Sequence, residues 1–393
     1  MPLHPIIQAS IPQLTVSGQT YRQSFLTVNV AIAGVAASSL PVLQNTPANW
    51  SEFTSTYLIA QMQAVSWFNG VASKFSSLPS FVIANGPLVA AVLASAAADA
   101  SSLEESPSDP QVLSDLNQKL GLVIDQVNQV SLFVASCLSD IEAFDSGLPS
   151  LTACLQRLVA DFMSEETVDQ AQVEALTAAV EALENDIRAL QNNIIFETTA
   201  SNIILWLSRF TPAWDPPFLA LKLVLVGISA AAQYIIDLDT VDIENDLAKI
   251  SVNQAQMSSA SSDVAACKLQ VRAYQSVSSA ISSAIGSANV LTSDWQALSA
   301  ALVQEIALLK QSLSDGSAAD FAAVASDLAN ASDAWRSLEQ QATAMELDVQ
   351  VNTALLQPGW SSAQALTAMA AGTRLPLSSF INAKAGEYDL PEL

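Results

Sequence analysis

The side chains able to do covalent chemistry are few, and their spacing suits none of it. His4 is the only histidine and stands in a terminus expected to be disordered. With one histidine there is no HExxH pair and no histidine-based triad, and neither a Cys/His metal set nor a GxGxxG run is present. Adjacent acids occur at Glu104-Glu105 and Glu165-Glu166, the kind of pair a carboxylate-only hydrolase uses as general acid and base. Both pairs fall at element boundaries, where solvated capping acids are the simpler reading. Cys137, Cys154 and Cys267 are far apart and lack CxxC spacing. At least one must lack an intramolecular partner, so they read as buried free thiols, not a disulfide framework. The expectation is no catalytic residue, no cofactor, no metal and no enzyme.

The strongest physical signal is apolar. The run "NIILWLSRFTPAWDPPFLALKLVLVGISAAAQYII", Asn202 to Ile236, carries only Arg209, Asp215 and Lys222 as charges. Pro212, Pro216 and Pro217 remove backbone donors and restrict their neighbours, so 211–217 is a turn between two legs. The second leg, from Phe218 to Ile236, has one charge and the length to cross most of a ~30 Å hydrocarbon core as a helix. The first is too short for that but has about the length of a membrane strand. Trp206, Trp214 and Tyr234 lie near the ends of the legs, where interfacial aromatics sit, and Lys222 is placed to snorkel. The expected membrane-insertion residues are Ile203, Ile204, Leu205, Trp206, Leu207, Phe210, Trp214, Phe218, Leu219, Leu221, Leu223, Val224, Leu225, Val226, Ile228 and Tyr234. Strand or helix as the state of the legs in the soluble form stays open.

The elements that must carry this tongue are helical. Leu113, Leu116, Leu120, Val123, Val127, Val130, Val134, Cys137, Ile141 and Phe144 recur at steps of three and four, a coiled-coil stripe. Leu155, Leu158 and Phe162 continue the pattern. Val173, Leu176, Val180, Leu183, Ile187, Leu190 and Ile194 then lead into the tongue. Beyond it, Ile243, Leu247, Ile250, Met257, Val264 and Val271 restart the stripe, which runs on to about Leu313. A last helix is expected through Val324, Leu328, Ala331, Trp335, Leu338, Ala342, Met345 and Val349, followed by an irregular tail. Two nearly uncharged stretches, Phe25–Leu43 and Phe81–Ala98, are long enough to raise the alternative of membrane spans but read as buried bundle helices, the second broken at Gly86-Pro87. No segment outside the tongue shows convincing strand alternation. The expected fold is mainly all-α: an elongated antiparallel bundle of about five long helices, with residues 1–197 and 238–393 as body and 198–237 as an apolar tongue or head at one end.

Composition narrows the partners. Of 393 residues, 51% are hydrophobic and 13% charged, and the net charge is -24. Such a chain repels nucleic-acid phosphates and gains nothing from counterion release. It is not drawn to anionic lipid by charge either. The start, "MPLHPIIQASIPQL", lacks a basic region followed by an apolar core, so no Sec-type signal peptide is expected. A constitutive membrane protein would show further spans and flanking Lys/Arg clusters. The combination points to a soluble protein with a conditional membrane element. The competing reading is an adhesin, a coiled-coil scaffold or a non-inserting partner subunit that keeps the tongue buried as a docking surface.

The sequence "VEALTAAVEALENDIRALQNNI" (173–194), the apolar tongue, and "VDIENDLAKISVNQAQM" (241–257) together resemble the ClyA-type α-helical pore-forming toxins, over roughly Gln111 to Val351. The group includes cytolysin A and the components of haemolysin BL and the non-haemolytic enterotoxin. The resemblance implies a helical bundle released in soluble form, whose tongue inserts into the target-cell lipid membrane. It also implies assembly into a homo-oligomer, or a hetero-oligomer with one or two related helical components. The Ala/Ser-rich, nearly uncharged N-terminal region departs from single-component cytolysin A and favours membership of a two- or three-part system.

Overall fold

The computed structural model of the chain describes residues 3–38, 40, 43–197, 202–210, 221–228, 241–314, 320–356 and 362–385. In chain order the elements are α1 (Leu3–Ala37), α2 (Trp50–Trp67), a π-helical turn (Phe68–Ala72), α3 (Ser73–Ser76), α4 (Leu78–Glu105), α5 (Pro110–Asp145), α6 (Leu148–Met163), α7 (Gln170–Glu197), β1 (Asn202–Phe210), β2 (Leu221–Ile228), α8 (Val241–Gln256), α9 (Ser259–Ser314), α10 (Phe321–Ala344), β3 (Asp348–Leu356), α11 (Ser362–Ala371), β4 (Arg374–Pro376) and α12 (Leu377–Ala385). The mainly helical expectation holds. The chain divides into two compact units, residues 1–22, 73–142 and 284–346 in one, and 23–72, 143–283 and 347–393 in the other.

The first unit is a helical bundle whose contacts follow the apolar stripes. Leu116, Leu120, Val123, Val127, Val130, Val134, Cys137 and Ile141 are all buried on α5. Asp109 starts that helix: its Oδ1 accepts from the amides of Gln111 (2.9 Å) and Val112 (3.3 Å), and Pro110 fills the first helical position, where a missing N–H does no harm. α10 is started in the same way, Asp320 Oδ1 accepting from Ala323 N at 3.0 Å. It lies along α4 at close range, because small residues line the seam. The Ser332 hydroxyl donates to the Ala90 carbonyl at 2.8 Å, and a Cβ at Gly86 would stand 3.1 Å from the Glu339 side chain.

Three expectations need correction in this unit. Gly86-Pro87 does not break the helix; α4 runs through Pro87 without interruption. A proline costs one backbone bond and some strain, and the packing of Val82, Val89, Ala90 and Leu93 against the bundle outweighs it. The N-terminus around His4 belongs to α1, not to a disordered tail. The amides of Leu3 and His4 donate to Asp327 Oδ2 and Oδ1 at 2.8 and 3.1 Å, so a carboxylate from α10 caps α1 from across the bundle. The last long helix stops at Ala344, so Val349 is not part of it.

In the second unit, Asp169 Oδ1 accepts from the Gln172 amide at 3.2 Å and begins α7. α7 and α8 are neighbours running in opposite directions: Gln172 meets Ser258 and Ala175 meets Asn253. The stripe beyond the tongue is broken at Met257 and Ser258, separating α8 from α9. Trp67 sits at the centre of an aromatic group, edge-on to Phe144 at 5.2 Å, with its indole N–H donating to Asn29 Oδ1 at 3.2 Å. The tail from Leu375, expected to be irregular, falls in β4 and α12 as far as Ala385; 386–393 lie outside the described residues.

The capping role of Asp327 sets a test. Asp327→Ala leaves two amides at the start of α1 without acceptors and should cost about 1 kcal/mol. Hydrogen exchange should show faster loss of protection in the first turn of α1 than in α5.

Candidate functional site

The first leg of the tongue is a strand, and it is not alone. β1 pairs with β2 in an antiparallel hairpin, from Ile203 opposite Ile228 to Phe210 opposite Leu221. On its other edge β1 pairs in parallel with β3, from Asn202 opposite Asp348 to Ser208 opposite Leu356. β4 adds to β3, giving a four-stranded sheet in the order β2-β1-β3-β4. A two-stranded hairpin is marginal in water, and a third strand makes it stable. Here the third strand comes from far along the chain, a parallel neighbour that only a long crossover can supply.

The central position of β1 explains its sequence. Ile203, Ile204, Leu205 and Trp206 are consecutive and all buried, so both faces of the strand are covered. A strand buried on both faces reads as a continuous apolar run, not an alternation. α7 lies against β2, while α11 and α12 pack on β3. The indole N–H of Trp206 finds no acceptor among the described residues although the side chain is only 2% exposed. A buried donor without an acceptor is a cost carried by the folded sheet.

Asn352, on β3, fixes the local geometry. It is buried, its amide donates to the Met369 carbonyl at 2.8 Å, and its Oδ1 accepts from Ala354 N at 2.9 Å. The pairing slips here, because Trp206 faces Asn352 while Leu207 faces Leu355. Such a bulge re-aims the strand. Gly372 is required beside it, since a Cβ there would overlap Asn352 Oδ1 and stand 2.9 Å from the backbone nitrogen of Ala354.

Of the residues expected to enter a membrane, Ile203, Ile204, Leu205, Trp206, Leu207 and Phe210 lie on β1, and Leu221, Leu223, Val224, Leu225, Val226 and Ile228 on β2. Trp214, Phe218, Leu219 and Tyr234 lie outside the described residues. The sequence reading missed β3 and β4. Val349 and Val351, alternating with Gln350 and Asn352, and the β-branched Thr353 were the available signal. It was masked by extending the helical stripe through Met345 to Val349.

An ion-pair group holds α7, the helix that leads into β1, to α9. Lys268 Nζ pairs with Glu174 at 2.6 Å, and Arg272 pairs with Glu181 at 2.9 Å and Glu184 at 3.2 Å. The second contact to Arg272 is close but is not aligned as a hydrogen bond. Burial raises the Glu184 carboxyl above its ordinary range, against the pull of Arg272 and Arg188. The acids Glu104-Glu105 form no site. Glu165 instead accepts from the Ala48 amide at 2.9 Å and braces the segment before α2. Among the cysteines, Cys137 and Cys267 are buried and Cys154 is partly exposed; burial pushes the Cys137 thiol up to about 11, which keeps it protonated. Among the described residues no three His, Cys, Asp or Glu side chains form a metal cluster.

No protein-family model matches the chain, and no curated protein sequence matches it. Solved structures do. Soluble AhlB, of the tripartite alpha-pore forming toxin AHL of Aeromonas hydrophila, matches with a TM-score of 0.67 at 12% identity, over 91% of this chain and 99% of its own. Motility Associated Killing Factor B of Vibrio cholerae matches with 0.69 at 13% identity, over 90% and 96%. The Bacillus cereus HblL1 toxin component matches with 0.57 at 12% identity, over 85% and 96%. The chain therefore has the fold of the ClyA-type toxin components, as its helix–tongue–helix pattern suggested.

The pH dependence of the α7 clamp is testable. A carboxyl whose pKa is raised on folding favours the folded state below the ordinary carboxylate range. That contribution is lost as pH rises through the raised value. Glu184→Gln should therefore melt higher than the parent at pH 7.5, and the two should converge as pH falls towards 4. Arg272→Met should do the opposite at neutral pH, because it leaves a buried carboxylate unpaired, and its deficit should shrink on acidification. Melting curves at the two pH values check both signs.

Proposed function

We propose that this chain is a component of a pore-forming toxin, not an enzyme. It is released in soluble form and inserts residues 198–237 into a target-cell membrane to build an oligomeric pore. The observation that carries this reading is the setting of β1. Four consecutive apolar residues, Ile203 to Trp206, are buried in a sheet whose stabilising third strand, β3, belongs to a separate part of the chain. Burying each large side chain of this kind is worth about 1.5–3 kcal/mol, all of which water would reclaim on exposure. Lipid removes that cost. A bilayer therefore has the differential affinity for the opened state that any conformational switch requires.

The residues of the hairpin fit the task. Ile203, Ile204, Leu205, Leu207 and Phe210 on one leg, and Leu221, Leu223, Val224, Leu225, Val226 and Ile228 on the other, supply the apolar surface. Phe218 and Leu219 extend the second leg. Trp206, Trp214 and Tyr234 suit the lipid–water interface, where the Trp206 N–H would gain the acceptor it lacks in the sheet. AhlB belongs to a tripartite toxin, and this supports assembly with one or two related helical components as well as with further copies. The excess of acids, 38 against 14 bases, favours a cation-preferring lumen.

Release of the tongue from β3 is the step to trap. Ile204 and Gln350 are paired across β1 and β3, and cysteines at both positions in a Cys154→Ser background should lock the sheet when oxidised. Dye release from liposomes is measured with the protein alone and together with the products of neighbouring genes. The oxidised form should be inactive and reduction should restore release. Leu221→Asp and Val224→Asp should abolish release with the helical circular dichroism unchanged. Full release by the oxidised form, or by both aspartate variants, would show that the tongue is not the inserting element.

A further inference from the structure

In the unit formed by residues 1–22, 73–142 and 284–346, α1 and α9 leave an open groove of about 420 Å³ between them. Pro12 and Val16 from α1 and Val290 from α9 form its apolar wall. The two valines are 63% and 54% exposed, unusual for β-branched apolar side chains that face each other across one groove. Beneath them lies Asp294, only 8% exposed. Its Oδ1 accepts from Gln13 Nε2 at 2.7 Å. Its Oδ2 is buried and has no hydrogen-bond partner among the described residues.

We infer that this groove docks a helix from a second, different protein, one that carries an Arg or Lys flanked by apolar residues. The cation would reach Asp294 Oδ2, and the apolar residues would cover Val16 and Val290. A buried carboxylate oxygen without a donor is costly to keep unless something supplies one. Two helices side by side present a furrow that accepts the ridge of a third, and residues at i, i+3 and i+4 form that ridge. The small Ser287 in the lining lets the incoming backbone come close.

Charge selects among the occupants. Anionic lipid would meet a carboxylate. A second copy of this chain offers few cations: it has 14 Lys and Arg, and among the described residues at least seven of them pair with carboxylates of their own chain. A heterologous basic helix has neither handicap. The docking is independent of the tongue, so it stands or falls separately from pore formation.

The probe is a fluorescent, alanine-rich helical peptide with one Arg flanked by Leu four residues before it and three after, titrated against the full-length protein by fluorescence anisotropy. Its control has the same composition with the Arg moved half a turn away. The first peptide should bind about tenfold more tightly than the control, the usual scale for a charged hydrogen bond. Asp294→Asn and Val290→Asp should each remove that advantage, while Val303→Asp, outside the groove, should not. The melting temperature of Asp294→Asn should stay level or rise, because an unpaired buried charge has gone. Equal binding of the two peptides overturns the inference. So does a fall in melting temperature with unchanged peptide affinity, which would leave Asp294 only as an anchor for Gln13. Self-association abolished by Val290→Asp would make the occupant a second copy. Binding to anionic vesicles abolished by the same change would make it lipid. Both of these would also overturn the assignment.

Discussion

The parallel pairing of β1 with β3 is the interaction on which the described sheet depends. The hairpin of β1 and β2 is too apolar to stand in water and too small to be stable by itself. By joining β3, it becomes one side of a four-stranded sheet and its most apolar residues, Ile203 to Trp206, become interior. The cover is non-covalent and comes from residues more than 140 positions away. It is held in turn by Asn352, which ties β3 to the end of α11. A ladder of backbone hydrogen bonds is strong while complete and is lost cooperatively once its ends separate, a suitable property for the proposed release.

Charged residues reinforce the same region without making it rigid. Basic residues are scarce, yet Lys268 and Arg272 are both used to hold α7 to α9. α7 is the helix that precedes β1 in the chain, so in the proposed release its attachment would bear on how easily the hairpin leaves. Because Glu184 is buried, its charged form sits at a cost that Arg272 only partly offsets. Ion pairs of this type confer geometry more than stability, and they are open to change by pH where hydrophobic packing is not.

Much of this was legible in the sequence, and the reasons are physical. The α5 stripe from Leu116 to Ile141 is buried as its spacing required, because a helix has one dominant periodicity and a long stripe leaves little choice. The tongue stood out because its apolar run and its prolines at 212, 216 and 217 conflict with any helix interior. Its strand state in β1 was not decidable locally: a strand buried on both faces loses its alternation, and the partner that buries the second face is β3. That partner was hidden, since Met345 and Val349 continue a helical stripe by chance, while the strand begins only at Asp348. Non-local pairing leaves no mark on the neighbouring sequence. The tertiary cap of α1 by Asp327 and the continuation of α4 through Pro87 were missed for the same reason, both being settled by contacts across the bundle.

The central claim is that the tongue leaves β3 when the protein meets a membrane. Hydrogen exchange of the intact protein, measured before and after adding liposomes with any partner components needed for dye release, tests it most directly. The account predicts that the backbone amides of Val349 to Asn352 lose protection on the timescale of dye release, while those of the α5 stripe stay protected. Dye release with unchanged protection in β3 would contradict it.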